Sequence, residues 1–178
     1  ELAKYYVEPD CQEMNPADKP VEKFMVAREK VFTKIDEFFR AKKMDEPGDK
    51  QMFFLSDAGM GKTSLLAMLK LLHLTSFWPK GTECVLKKLG ETTLRELKEI
   101  TDKMKTILLL DSLDEDPTAF GRVEERLLEV LDATKSFRRV IITCRTQFFP
   151  KADKAPIESP GEIEIGGYVC PSKYLSHF

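Results

Sequence analysis

The chain has 178 residues, 42% of them hydrophobic and 33% charged, a profile that excludes disordered and fibrous classes and suits one globular domain with a sizeable core. A formal net charge of −2 leaves no broad electrostatic footprint, so nucleic acid is not an expected partner. Cys11, Cys84, Cys144 and Cys170 are scattered, with no Cys-x-x-Cys pair and only His73 and His177 beside them, which speaks against zinc sites and disulfides and for free thiols in a cytoplasmic protein.

No apolar run approaches the ~20 residues that cross a bilayer, so no membrane partner is expected. With no methionine at Glu1 and a helix-like ending at Phe178, a piece of a longer protein is expected. Residues 1–20, with three prolines and many polar residues, read as an irregular lead-in. From Val21, the apolar positions Phe24, Ala27, Val31, Ile35 and Phe38 predict a helix to about Lys43, ended by "DEPGDK". "QMFFLS" reads as a buried strand. The helix after Lys62 is apolar at nearly every position of "LLAMLKLLHL" and is expected to be buried on most sides. "TECVLKKL" predicts a second strand. "ETTLRELKEITDKM" predicts a helix with Thr93 and Glu96 spaced as a capping box.

"KTILLLDSLDED" is the strongest strand signal, four successive aliphatic residues ending in acid. Asp116-Pro117 offers an N-cap and a first-turn proline for a helix carrying Phe120, Val123, Leu127, Val130 and Leu131 to about Ser136. "RRVIITCR" predicts a fourth strand, residues 146–162 a loop, and "EIEIGGY" a fifth strand. Strands alternating with helices imply crossover connections and a parallel sheet covered on both faces. Ligands of such sheets bind at the carboxyl ends of the strands, where the polar clusters after Leu55, Leu110 and Ile142 converge.

The first cluster is "FFLSDAGMGKTSLLAML", residues 53–69. A compact loop between strand and helix leaves backbone N–H groups that converge on an anion at the positive end of the helix. The candidate nucleotide-binding residues are Ser56, Asp57, Ala58, Gly59, Met60, Gly61, Lys62, Thr63 and Ser64. Gly59 and Gly61 permit positive φ, Lys62 supplies charge to the β- and γ-phosphates, and Thr63 a hydroxyl for Mg²⁺. Ser56 stands where such loops usually begin with glycine. The alternative is an ordinary small-residue turn.

Asp111 emerges from an apolar strand, where a carboxylate is poorly solvated unless it serves a cation, and is expected to hold Mg²⁺ through water. Glu115 is the candidate to orient an attacking water, with Asp114 sharing that role or helping to position the metal. The alternative is an acidic helix N-terminus, the preferred reading for Asp116. Arg145 either reaches a γ-phosphate or pairs with a nearby acid. Cys144 is expected to pack between strand neighbours rather than act as a nucleophile.

Together these segments resemble the signal-transduction NTPases with numerous domains (STAND), specifically the NACHT branch. "SDAGMGKTSLL" resembles that family's phosphate loop, "ILLLDSLDE" its extended Walker B segment with Ser112 where glycine is commoner, and "VIITCR" its sensor 1 strand. "FMVARE" is similar to its upstream nucleotide-binding motif, with Ala27 in place of a glycine, which implies a nucleotide role for Arg28. "IEIGGYVCPSKYLSHF" is similar to the passage from the last strand into a helical subdomain. The resemblance implies a three-layer α/β P-loop NTPase fold with a central five-stranded parallel sheet of order 5-1-4-3-2. It divides the chain into a lead-in (1–20), a NACHT-like domain (21–168) and the start of a truncated helical subdomain (169–178).

The activity it implies is ATP binding and slow hydrolysis to ADP in a switch module of a larger signalling or defence protein. The implied partners are the protein's own helical and winged-helix domains and further copies of itself on activation. A non-catalytic, nucleotide-gated scaffold is the rival from another class. A GTPase is a lesser one, since "TKID" (33–36) mimics a guanine-reading motif but precedes the phosphate loop on a helix. Lys87, Lys88, Arg138 and Arg139 are basic pairs expected to be solvated strand flanks without an aromatic stacking row.

Overall fold

The computed structural model describes residues 2–15, 28–75, 81–148 and 161–176. It opens with α1 (Leu2–Tyr5), β1 (Asp10–Gln12), β2 (Glu29–Lys30) and α2 (Val31–Arg40). Next come β3 (Gln51–Ser56), α3 (Lys62–Leu74), β4 (Glu83–Lys88), α4 (Thr93–Glu99) and β5 (Thr106–Asp111). Then follow α5 (Val123–Thr134), β6 (Arg139–Arg145), β7 (Glu162–Ile165) and β8 (Tyr168–Ser176).

The fold is α/β, but the sheet is mixed rather than purely parallel. Its strands lie in the order β2-β1-β8-β3-β6-β5-β4, with β7 paired to β8. From β8 to β4 neighbours run parallel, whereas β1, β2 and β7 join antiparallel. Residues 162–168 are therefore not a fifth parallel strand. They form β7 and a Gly166-Gly167 turn, and the hairpin's second arm, β8, lies beside β3. Where a helical subdomain was expected to open from 169, Tyr168–Ser176 forms a strand.

Alternate residues of the central strands feed two apolar clusters, as a sheet covered on both faces requires. Phe54, Ile107, Leu109 and Ile141 pack with Val31, Ile35, Phe38 and Phe39 of α2 and Leu65, Leu66 and Leu69 of α3. Phe53, Leu55, Leu108, Leu110, Val140 and Ile142 pack on the opposite face with Leu97 of α4 and Leu127, Val130 and Leu131 of α5.

Several boundaries shift for physical reasons. The lead-in is not irregular throughout, since β1 joins β8 to β2 and Lys30 pairs with Asp10 at 2.7 Å. That pairing holds Glu29-Lys30 extended, so the helix begins at Val31; Phe24 and Ala27 lie outside the described residues. In α3 the last turn leaves Leu71 and Leu74 exposed, against the expectation of burial on most sides. The capping box of α4 is absent. Thr93 donates its hydroxyl to the Lys88 carbonyl, and Glu96 is taken by Thr92 and Lys87. Asp116 does act as an N-cap, but of a short 3-10 turn at Pro117–Ala119, and α5 starts only after Gly121 turns the chain at φ +74°. Phe120 consequently lies outside the helix and is 93% exposed. Of the expected loop 146–162, Thr146–Phe148 forms a 3-10 turn, Glu162 belongs to β7, and 149–160 lie outside the described residues.

The basic pairs are not free flanks either. Arg139 is fully buried at the start of β6, donating to the carbonyls of Ala41, Lys43 and Asp49 with its guanidinium over the Phe38 ring. It ties the chain leaving α2 to the sheet, and burial pulls its pKa down. Arg139→Met is expected to cost about 2 kcal/mol in urea unfolding: the buried Asp49 carbonyl and the half-buried carbonyls of Ala41 and Lys43 lose a donor, while the cost of burying the charge disappears.

Candidate functional site

The register brings the polar strand ends to one edge. Ser56 of β3 is level with Arg145 of β6, and Lys88 of β4 is level with Asp111 of β5. Leu110 pairs with Ile142, so Asp111 and Thr143 follow side by side. Between β3 and α3 runs the loop 57–61, in which Gly59 and Gly61 both adopt φ +79°. At each of them a Cβ would meet open space, so the left-handed backbone rather than crowding selects glycine.

The first amide of the helix to be paired is Leu65, which donates to the Gly61 carbonyl at 2.8 Å. None of the amides from Gly59 to Ser64 donates to a described acceptor. These are the orphan donors of a helix start, and they surround an exposed loop carrying the positive end of the α3 dipole. Lys62 lies buried beneath them. Its ammonium donates to the Ser56 carbonyl (3.4 Å), the Ser56 hydroxyl (3.3 Å) and the Asp57 carbonyl (3.1 Å). The serine in glycine's usual place thus seats the lysine.

Across from the loop, Thr63 donates its hydroxyl to Asp111 Oδ2 at 2.8 Å. Thr143 donates to Asp111 Oδ1 at 2.8 Å and accepts from the Ser112 amide at 3.0 Å. Ser112 has φ 58° and ψ 59°, a left-handed conformation that explains why glycine serves well there. The donor set fits magnesium. It consists of one hydroxyl and one carboxylate, and among the described residues no group of three His, Cys, Asp or Glu forms an all-protein cage. Magnesium keeps several waters and takes one or two protein oxygens together with phosphate.

The acids at the mouth are paired. Arg145 donates its backbone N–H to Asp114 Oδ1 (3.0 Å), and its Nε lies 2.8 Å from Oδ2. Of the two readings of Arg145, the structure shows the pairing with an acid. Glu115 meets Lys88 at 2.7 Å and lies 4.0 Å from Arg145. The Lys88 hydrogen bond and charge hold the Glu115 carboxyl below its ordinary range, and Lys88 is raised in return. A carboxylate so stabilised is a weaker proton acceptor, suited to orienting a water more than to deprotonating it. Burial and then the charge of Asp114 push the Cys144 thiol well up, which leaves it no thiolate for nucleophilic work.

Two predicted features stay apart from this edge. Arg28 precedes β2, which β1 and β8 separate from β3, about 14 Å by strand spacing. "TKID" lies within α2. Conversely, the sequence reading missed Lys88 as a site residue, although it ends a strand on the same edge as the residues that were found. Thr143, within "VIITCR", had been given no task either.

No protein-family model matches the chain, and no curated protein does. Among solved structures, that of C. elegans PCH-2 is similar at a TM-score of 0.37 and 16% sequence identity, over 70% of this chain and 35% of that one.

Proposed function

We propose that this chain is a nucleotide-binding module that takes the terminal phosphates of ATP or ADP together with magnesium, and turns ATP over slowly as a molecular switch. One observation carries the proposal: Thr63, at the head of a helix with unpaired leading amides, meets Asp111 from the next-but-one strand of the sheet. The amides of Gly59 to Ser64 would bind phosphate oxygens, and Lys62 would add charge to the β- and γ-phosphates. Thr63 and Asp111 would hold magnesium, which when bound offsets phosphate charge. Glu115, turned to the mouth by Lys88, would orient a water, and Arg145 would reach a γ-phosphate only by leaving Asp114.

The segments "SDAGMGKTSLL", "ILLLDSLDE" and "VIITCR" support placing the switch in the STAND class, NACHT branch, within a larger signalling or defence protein. Its helical and winged-helix domains would then complete the nucleotide site, and activation would assemble copies of the chain. Calorimetric titration with ADP and Mg²⁺ tests the binding; no heat at millimolar ADP would refute it. Competition between ATP and GTP decides the base.

A second reading, a nucleotide-gated scaffold without catalysis, is favoured by the ion pairs that occupy Asp114 and Glu115. Glu115→Gln separates the two. For a catalytic switch it should leave ADP affinity within about twofold and slow single-turnover ATP cleavage about 100-fold, the range of one positioned acid–base group. Unchanged cleavage removes Glu115 from the reaction.

A further inference from the structure

Thr143 interrupts an aliphatic strand. Val140, Ile141 and Ile142 precede it on β6, all fully buried, and Thr143 is buried as completely. Packing alone would accept valine, which has the same shape. The hydroxyl occurs at the one level where the neighbouring strand presents Asp111.

A threonine hydroxyl has one proton to give. Here the oxygen accepts from the Ser112 amide at 3.0 Å and the proton goes to Asp111 Oδ1 at 2.8 Å. A single atom therefore ties down both the Asp111 carboxylate and the left-handed turn that follows it. The other carboxylate oxygen receives the Thr63 hydroxyl at 2.8 Å, which commits the Thr63 proton and leaves that oxygen's lone pairs for a cation.

We propose that Thr143 is the positioning residue of the magnesium site: it sets the orientation of Asp111 and, through Asp111, the direction in which Thr63 offers its oxygen. Its hydroxyl touches neither nucleotide nor cation. It removes the rotational freedom that a short acid at a strand end otherwise keeps. Partners that orient metal ligands in this way are typically worth 10- to 100-fold in metal affinity. The inference rests on the nucleotide reading above and concerns metal affinity rather than turnover.

The test measures ADP binding by the 178-residue chain, with Mg²⁺ or with EDTA, for the wild type, Thr143→Val and Thr143→Ser, with thermal unfolding as the check on folding. Thr143→Val should bind ADP in EDTA as the wild type does, yet need about 10-fold more Mg²⁺ to gain the metal-dependent affinity. Thr143→Ser should restore the wild-type Mg²⁺ dependence. Wild-type Mg²⁺ dependence in a folded Thr143→Val overturns the inference, and so does an equal loss of binding with and without metal. Should Thr143→Val not fold, Thr143→Ser decides alone, since a shorter hydroxyl that loses the Mg²⁺ dependence also overturns it. A wild type that binds no ADP at all defeats the nucleotide reading, and this inference with it. A wild type that binds with magnesium beside an unaffected valine variant defeats only the role of Thr143.

Discussion

Lys62→Ala is expected to weaken ADP binding about 100-fold, enough to abolish it in a calorimetric titration, while leaving the chain folded. Each charge-assisted hydrogen bond to a phosphate contributes about 1.5–3 kcal/mol, so losing the ammonium removes at least one such bond and the attraction of a full charge. The fold should tolerate the change because of how the lysine is held. Among the described residues its ammonium bonds only to the carbonyls of Ser56 and Asp57 and the Ser56 hydroxyl, and none of their carboxylates is left unpaired when it goes. Removing a buried charge also relieves a desolvation penalty, so the unfolding midpoint should stay level or rise. Calorimetry and urea unfolding on the same preparation check both halves. Unchanged ADP affinity in a folded Lys62→Ala would move the phosphate away from this loop.

The strand-end chemistry was legible because local pattern and tertiary position agree there. Four aliphatic residues before Asp111 and a Gly-Lys-Thr before an apolar helix mean the same thing to the chain as to a reader. The edges of the sheet were not legible, because non-local pairing decides them. Asp10–Gln12 is too short to carry any periodicity, and its strand state comes from lying between β8 and β2. Residues 168–176 contain Pro171, which argues against a strand on sequence alone. In the structure Pro171 lies where β8 faces β7, one residue before Ser172 pairs with Phe53 of β3, so its missing N–H interrupts no bond to the parallel block. Gly48 is another such case. It read as part of a helix terminator, yet the Val169 backbone passes so close that a Cβ on Gly48 would lie 2.3 Å from the Val169 carbonyl oxygen. In the site, Lys88 escaped notice because a lysine at a strand end looks like a solvated flank until a carboxylate is placed opposite it.

Asp116→Ala is expected to cost about 3–5 kcal/mol of folding stability, the largest single effect in this molecule outside the core. Asp116 and Arg126 form a buried ion pair, Oδ2 to Nε 2.8 Å, with side-chain exposures of 0% and 5%. Asp116 Oδ1 also accepts the Thr118 amide and hydroxyl, and Arg126 reaches the Gly90 carbonyl and Glu129. The pair therefore pins the turn carrying Asp114 and Glu115 both to α5 and to the loop after β4. Truncating the acid leaves a buried guanidinium without its main counter-charge, whereas Asp116→Ala combined with Arg126→Met removes both charges. The double variant should lose clearly less than the sum of the single ones, and additive losses would show that the two side chains act independently. The same pair gives the fold an acid limit. Burial alone would raise the Asp116 carboxyl, but the hydrogen bonds from Thr118 and Arg126 outweigh it and hold the group below its ordinary value. A carboxyl whose folded pKa is depressed contributes its full stabilisation above the unfolded pKa of about 3.9, and loses it as pH falls through the lower folded value. As pH falls below about 4, the wild type should therefore lose urea resistance faster than the double variant, because only the wild type has this carboxylate to protonate.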